Sequence, residues 1–265
     1  MRLLYMALGR DLRARDAGTT HTTNILKALR DKGVKITLMA KNTKGVPDGI
    51  KRIEVDLPKK QTFMPSARTM DMVCEMTPSV DLIQERVEES GGIGVKLAQL
   101  LKRPIVLEIN TPLSGHPSPL VRRIANWNLR RQAKAASAII TQTPISKRII
   151  EQYSPAPVYV VPNGADPKVF FPEVKPAELP NDARHRPVIA FAGSLRPWHG
   201  VDRMIEAGKH LLTIHRNAYF LFIGGGERLD ELKVMAAEQL GEGNYLFTGE
   251  VAPEEVPGYL AAAKV

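Results

Sequence analysis

The sequence predicts an α/β protein with two Rossmann-like, doubly wound parallel-sheet domains, and three observations support that class. Short apolar runs alternate with stretches of helical periodicity, a pattern typical of parallel sheets covered by helices on both faces. A proline-rich, charged stretch without periodicity, residues 171–187, interrupts the alternation and predicts a linker. Because the alternation resumes after it, we expect a second domain of the same class at residues 188–265.

The first block, residues 1–170, predicts one α/β domain. Its apolar runs predict strands at Leu3–Ala7, Val34–Ala40, Ile53–Leu57, Val80–Gln84, Ile105–Ile109, Ala138–Thr141 and Val158–Val161. Helical segments lie between most of these strands, and examples are Thr22–Lys32, Ile93–Lys102 and Leu120–Ala136.

The second block repeats the pattern with three strands. Apolar runs predict strands at Val188–Ala192, Tyr219–Ile223 and Tyr245–Phe247. The segments between and after them predict helices at Val201–Leu212, Leu229–Leu240 and Pro253–Ala263.

Composition narrows the classes of function. The 37 Lys and Arg residues against 28 Asp and Glu give a formal net charge of +9, which favours anionic partners. Few aromatic residues interleave with the basic ones, so we expect no nucleic-acid partner. The single cysteine, Cys74, fits a reducing compartment. No stretch approaches the ~20 apolar residues of a spanning helix, and we expect a cytoplasmic protein, with peripheral membrane contact left open.

Ligands of open α/β sheets bind beyond the carboxyl ends of the strands, and the unusual residues of this chain follow predicted strands. In the first block they are Gly18 and His21, in a group that begins at Asp16, then Glu85, Arg86, Asn110 and Asn163. In the second block they are Gly193 to Gly200 and the triplet Gly224, Gly225 and Gly226. Three consecutive glycines cost conformational entropy, which favours close approach of the backbone to a ligand such as phosphate.

Simpler explanations stay open for several of these residues. Gly18 is also compatible with the start of a helix, and Asn163-Gly164 with a turn. A lone histidine such as His21 or His116 is more often a surface or hydrogen-bonded residue than a catalyst.

Four segments carry a resemblance to a known family: VYVVPNGADPKVFFP, VIAFAGSLRPWHGVDRMIEA, FLFIGGGERLDELKVMAAE and YLFTGEVAPEEVPGYLAAA. In this order and spacing they resemble family 4 glycosyltransferases of the GT-B fold, and QERVEESGGIGVKLAQLLKRPIVLEINTPL resembles one branch of that family. The resemblance implies a retaining hexosyltransferase without a metal or a bound cofactor. It also implies that the second domain binds a nucleotide-diphosphate-sugar donor and that the first binds a glycan, lipid-linked or small-molecule acceptor, across a cleft.

The resemblance assigns a diphosphate site to residues 193–200. The family commonly has G-R-L-x-x-x-K-G here, and Gly193 and Gly200 keep that frame. Ser194 stands in place of the arginine and His199 in place of the lysine, while Arg196 restores a positive charge. We expect these residues and the triplet Gly224–Gly226 to bind the donor.

In the first domain the resemblance is less specific. Many relatives have a histidine where this chain has Asn110, and Glu108 points to the same side by strand alternation. His116 is close enough in sequence to substitute. The predicted catalytic residues are therefore Asn110, Glu108 and His116. The predicted residues bordering the acceptor cleft are Gly18, His21, Glu85, Arg86 and Asn163.

The resemblance also predicts that the chain is truncated. Family members continue past YLAAAKV into a strand, followed by a loop and helix with an E-x(7)-E arrangement that holds the donor ribose. We therefore expect an incomplete second domain and little transfer by the 265-residue chain alone. The alternative is a non-catalytic nucleotide-sugar-binding or glycan-binding protein of the same fold, which Ser194 and the early chain end favour.

One helix carries a pattern outside these motifs. Projected at 100° per residue, one face of Leu120–Ala136 collects a basic stripe with an indole: Arg123, Trp127, Arg130, Arg131 and Lys134. The same projection places on the other face Val121, Ile124, Ala125 and Leu129. The stripe suits an anionic membrane surface or a lipid-linked acceptor. A solvated surface, with arginine stems covering the ring, is the open alternative.

Overall fold

The computed structural model describes residues 1–13, 17–58, 60, 62, 64–88, 91–180, 183 and 185–265, which leaves Asp16 outside the described residues. The chain divides into two compact units, Met1–Asn163 and Gly164–Val265. Each unit has a parallel sheet with helices between its strands. The α/β class predicted from the sequence is therefore confirmed.

The described part of the first unit contains a seven-stranded parallel sheet in the order β3-β2-β1-β4-β5-β6-β7. The strands are β1 (Arg2–Asp11), β2 (Lys35–Asn42), β3 (Lys51–Glu54), β4 (Leu82–Arg86), β5 (Ile105–Glu108), β6 (Ala138–Thr141) and β7 (Val158–Val160). The chain runs outward from β1 to β3 and then outward in the other direction from β4. The neighbours β1 and β4 therefore form the topological switch point, where sheets of this type bind ligands.

Five helices of this unit have defined bounds: α1 (Ala17–Asp31), α2 (Ala67–Met76), α3 (Ile93–Leu101), α4 (Pro119–Lys134) and α5 (Pro144–Glu151). Helices α2 and α5 were not predicted, because both are short and bury few apolar side chains. Their N-cap residues indicate where these helices begin, which apolar periodicity does not show. Ser66 accepts a hydrogen bond from the Thr69 backbone N–H, and Thr143 accepts one from the Ser146 N–H.

The second unit has a three-stranded parallel sheet in the order β10-β9-β8. Its elements are β8 (Val188–Ala192), α6 (Val201–Ile214), β9 (Tyr219–Ile223), α7 (Leu229–Leu240), β10 (Tyr245–Gly249) and α8 (Val256–Ala261). Strands β8 and β9 have the predicted bounds because each is a continuous apolar run ended by polar or glycine residues. Beside β8, the Lys264 N–H donates to the Val188 carbonyl at 2.8 Å, and the Ala190 N–H donates to the Val265 carbonyl at 2.8 Å.

Helix α4 corrects the prediction of which residues face inward. Ala125 and Leu129 are buried, as predicted, but Val121 and Ile124 are 41% and 45% exposed. The apolar residues of this helix therefore lie on both its inner and its outer face.

Amide side chains occupy the inner face that the projection had given to aliphatic residues. Asn128 and Gln132 are almost completely buried, and the Asn128 Nδ2 donates to the Gly91 carbonyl at 2.8 Å. A buried carbonyl needs a hydrogen-bond donor, and Asn128 supplies it. A helical projection based on hydrophobicity does not include this requirement. None of the described helices is long and apolar enough to cross a membrane.

Candidate functional site

The carboxylate of Glu108, at the end of β5, collects hydrogen bonds from four side chains, and we call these five residues the Glu108 cluster. Its Oε1 is 2.8 Å from Nε2 of His21, 2.9 Å from an Nη of Arg86 and 3.0 Å from Nδ2 of Asn110. Its Oε2 accepts from the Tyr5 hydroxyl at 2.9 Å. The donors come from β1, α1, β4 and the residues after β5, so the cluster lies at the topological switch point.

Charge explains how the cluster is held together. Burial alone would raise the pKa of Glu108, but the hydrogen bond from His21, the charge of Arg86 and the hydrogen bond from Asn110 together lower it to about 2. Glu108 is therefore ionised at neutral pH, with its oxygens already occupied by donors. Burial, followed by the charge of Glu108, raises the pKa of Tyr5 well above its usual range, so this hydroxyl stays a donor.

An ionised Glu108 orients its neighbours, because a carboxylate only accepts hydrogen bonds. The His21 Nε2 must carry a hydrogen, and the Asn110 amide must turn its Nδ2 toward Glu108. The Oδ1 of Asn110 is buried and accepts no hydrogen bond from the described residues. This oxygen is therefore a buried acceptor without a donor among the described residues.

Three of the predicted site residues of the first unit thus join Glu108: His21, Arg86 and Asn110. Tyr5 also joins it but was not predicted as a site residue, because it lies within an apolar strand run typical of a core. The contacts of Arg86 with Glu108 follow from sheet register, since the two residues are Cα partners on adjacent strands.

His116 does not join the cluster. Its Nδ1 accepts a hydrogen bond from the Ser118 backbone N–H at 3.1 Å, in the turn that leads into α4. Its backbone N–H donates to the Ser114 hydroxyl at 3.2 Å. The hydrogen bonds of this residue within the described chain stabilise the turn, and none of them reaches Glu108.

Glu85 is fully buried beneath the N-terminus of α3. Burial raises the pKa of Glu85 to about 7, against the opposing effect of the nearby backbone N–H groups of Gly92 and Gly94. Its Oε2 accepts no hydrogen bond from the described residues. A Cβ at position 94 would lie 2.5 Å from the Glu85 Oε2, so the close approach requires glycine there. A cavity of about 20 Å³, room for one water molecule, adjoins this carboxyl.

The remaining predicted residues of the first unit occupy different surroundings. Gly18 lies in the first turn of α1, where a Cβ would be 2.5 Å from an Nη of Arg10. Arg10 in turn pairs with Glu88 at 3.1 Å. Asn163 is exposed and is the last residue of the first unit.

In the second unit, the loop after β8 and the triplet Gly224–Gly226 after β9 are joined backbone to backbone. The Leu195 N–H donates to the Gly225 carbonyl at 2.8 Å. A Cβ on Gly224 would overlap the Gly193 carbonyl oxygen, and one on Gly226 would lie 2.7 Å from the Leu195 nitrogen. The close approach that the triplet permits is thus to the neighbouring loop of the same chain.

The loop after β8 presents its polar side chains outward. Ser194, Arg196, Trp198 and His199 are all exposed, Trp198 by 71%. The Arg196 guanidinium lies over the Trp198 ring, 5.5 Å from its centroid. The His199 Nδ1 bonds the Ser194 carbonyl, so Nδ1 carries a hydrogen and the Nε2 atom is left to meet a ligand.

Gly200 ends this loop in a left-handed conformation, with φ 67°, directly before α6. The N-terminus of α6 adds the positive end of a helix dipole to the charge of Arg196. Sequence reasoning did not find the ion pairs of Arg228, which contacts Glu231 at 2.7 Å and Asp202 at 3.5 Å. These ion pairs connect the starts of α6 and α7. Within the described residues, no group of three or more His, Cys, Asp or Glu side chains could hold a metal ion.

Two family models match the chain. The model described as Glycosyltransferase Family 4 matches residues 18–169, and the model described as Glycosyl transferases group 1 matches residues 177–265. A 2-deoxystreptamine glucosyltransferase of Streptomyces kanamyceticus is 27% identical over 163 residues, which are 56% of this chain and 39% of that protein. The match thus spans well under half of the relative's length.

Solved structures share the fold. The Anabaena protein Alr3699/HepE in complex with UDP-glucose superposes with a TM-score of 0.70 at 21% identity, over 99% of this chain and 72% of that one. WaaG, a glycosyltransferase involved in lipopolysaccharide biosynthesis, has a TM-score of 0.70 at 14% identity, over 99% of this chain and 73% of its own. These similarities confirm the predicted GT-B class. Since the family 4 model covers more than half of its residues, the chain belongs to glycosyltransferase family 4.

Proposed function

We propose that this chain is the donor-binding and acceptor-binding part of a retaining glycosyltransferase that uses a nucleoside-diphosphate sugar. The observation that carries the proposal is the exposed cationic loop, residues 193–200, at the carboxyl end of β8 in a family 4 chain. The Anabaena relative binds UDP-glucose, and we propose the same class of donor here. The proposed acceptor is a hydroxyl group of a glycan, a lipid-linked sugar or a small molecule.

The transfer reaction is favoured by positive charge beside the diphosphate. When the bond between the sugar C1 and the diphosphate oxygen breaks, negative charge develops on the leaving diphosphate. In this proposal Arg196, His199 and the N-terminus of α6 stabilise that charge. No resident metal ion is needed, so we expect transfer to survive EDTA.

In the first unit, we propose that the Glu108 cluster binds hydroxyl groups of a sugar. The atom proposed to meet the sugar is the Nδ1 of His21, on the far side of the ring from Glu108. This Nδ1 accepts no hydrogen bond and donates none among the described residues. Glu108 is then a positioning residue, since its oxygens are filled and its low pKa makes it a weak base. His21 is the residue that touches the ligand in this proposal, and Asn110 is a second positioning residue.

Titration of the protein with nucleoside diphosphates and nucleosides tests the donor site. UDP and GDP should each bind at least ten times more tightly than uridine and guanosine, because one charge-assisted hydrogen bond contributes about 1.5–3 kcal/mol. Arg196→Gln should remove most of this difference. Arg216→Gln is the matched control, because Arg216 is exposed beyond the far end of α6, about 20 Å along the helix.

Equal affinity for nucleosides and nucleoside diphosphates would overturn the donor-site assignment. Equal effects of Arg196→Gln and Arg216→Gln would leave only a general effect of charge and would also contradict it. Proton NMR of the transferred sugar tests the stereochemistry. A product with an inverted anomeric configuration would refute the retaining mechanism.

A further inference from the structure

The outer face of α4 carries apolar side chains that the fold leaves in solvent. Leu120 is 68% exposed and Trp127 is 57% exposed, and Ile124 lies between them on the same face. These residues are spaced i, i+4 and i+7, so they form one continuous ridge along the helix. We call Leu120, Ile124 and Trp127 the outer ridge.

Basic residues border the outer ridge on one side. Arg123, Arg130 and Lys134 have a spacing of seven and four residues and are exposed, and Arg131 lies 5.3 Å from the Trp127 ring centroid. None of these four residues forms an ion pair with any described residue. Their charges are therefore not neutralised within the described part of the protein.

One explanation for the exposed outer ridge is that α4 is rotated from its stable packing position. The contacts of its inward face exclude this explanation. Asn128 is fixed inward by its hydrogen bond to the Gly91 carbonyl, and Leu129 and Ala133 belong to the core of the first unit. The Ser154 hydroxyl also donates to the Ala133 carbonyl at 2.7 Å. Rotation of the helix to bury the ridge would break these contacts.

An arrangement of apolar ridge and cationic flank matches an anionic lipid surface. Apolar and indole side chains enter the boundary between headgroups and acyl chains, while arginine and lysine contact lipid phosphates. From the ridge, the unneutralised charges and the fixed inward face, we propose that α4 docks the protein on an anionic phospholipid bilayer. This inference does not depend on the proposed function, because binding needs no sugar substrate.

Vesicle sedimentation tests the proposal with the whole chain. Vesicles of phosphatidylcholine with 30% phosphatidylglycerol should bind the protein, and pure phosphatidylcholine vesicles should not. Each cation near an anionic surface contributes about fivefold to binding, so Arg123→Gln/Lys134→Gln should weaken it on the order of 25-fold. Lys209→Gln/Arg216→Gln, which removes two exposed charges from the second unit, should change it no more than twofold.

A matched pair of variants tests the contribution of the apolar side chains to vesicle binding. Ile124→Ser should weaken vesicle binding at least fivefold, whereas Ile214→Ser, on the exposed end of α6, should not. In the variant Trp198→Phe, Trp127 is the single tryptophan, and its emission should shift to shorter wavelength on adding anionic vesicles. Unchanged melting temperatures of both serine variants would show that the fold is intact.

Three results would overturn the proposal. They are the absence of vesicle binding, equal binding to neutral and anionic vesicles, and equal losses in the α4 and control variants. Sedimentation velocity without lipid adds a fourth. A dimer that Ile124→Ser dissociates would assign the ridge to a second copy of the chain instead.

Discussion

The substitution Glu108→Gln keeps the shape of the side chain and removes the charge that holds the Glu108 cluster. The amide has one acceptor oxygen for the donors that the two carboxylate oxygens accept in the wild type. Arg86, which is almost fully buried, would lose its counter-charge. We therefore expect the first unit to become less stable.

The size of the loss follows from two independent estimates. The pKa of Glu108 falls from 4.5 to about 2 on folding, which corresponds to about 3 kcal/mol of stability at pH 7. Removing one partner of a buried ion pair costs about 3–5 kcal/mol. Both estimates give a loss of about 3 kcal/mol.

Amide hydrogen exchange of β4 and β5 measures this loss within the first unit. At pH 7, a loss of about 3 kcal/mol accelerates exchange through the opened state on the order of 100-fold. The contribution of a depressed carboxyl pKa is present above the unfolded value of about 4.5 and is lost as pH falls toward 2. Glu108→Gln and the wild type should therefore converge in urea unfolding near pH 2.5.

Asp81→Asn is the control for this experiment, since it breaks an exposed ion pair with Arg2 in the same unit. Its effect should be far smaller, because solvent screens exposed pairs. An acceleration of less than fivefold by Glu108→Gln at pH 7 would refute the cluster as a stabilising charge network.

Other substitutions test other parts of the structure. Glu85→Gln should stabilise the first unit at pH 8 by up to about 3 kcal/mol. The raised pKa favours the neutral carboxyl, so the wild type alone loses stability between about pH 4.5 and 7; the same urea midpoint at pH 8 would contradict the burial effect. Gly226→Ala, at φ 154° against the Leu195 backbone, should cost about 1–3 kcal/mol in thermal unfolding. Gly164→Ala, with no atom within 4 Å, is its control, and equal melting temperatures would count against the loop contact. His199→Ala should weaken UDP binding, because it removes the Nε2 that faces away from the Ser194 carbonyl. His210→Ala, exposed on α6, serves as control in the same calorimetric titration, and equal affinities of the two variants would return His199 to a packing role.

Strands β8 and β9 were predictable because each is a local apolar run ended by glycine. Strand β3 has the sequence KRIE and shares only Ile53 and Glu54 with its predicted range, because it has no apolar run of its own. Helices α2 and α5 were missed because their evidence lies in cap residues such as Ser66 and Thr143. The inward amides of α4 were also missed. The partner of Asn128 is a backbone carbonyl 37 residues away, and periodicity within one helix does not include such a partner.

The site residues were predictable in kind but not in arrangement. The carboxyl ends of strands indicated Arg86, Glu108 and Asn110 individually, but their meeting on one carboxylate depends on sheet order and register. His21 reaches Glu108 across 87 residues of sequence. The glycine triplet indicated a close approach correctly, but the sequence alone does not show that the approaching group is the backbone of the loop after β8.

In the second unit, different residues determine the backbone shape and the charge of the candidate donor site, which the loop after β8 and the triplet Gly224–Gly226 form. The path of the backbone depends on Gly200, Gly224 and Gly226, whose contacts and dihedral angles involve main-chain atoms. The charge depends on the outward side chain of Arg196. Ser194 is also exposed, so a substitution of its side chain can change the electrostatic potential of the loop while leaving its backbone in place. His199 differs, because its Nδ1 bonds the Ser194 backbone carbonyl. Ser194→Arg is therefore the practical substitution for engineering a more cationic site.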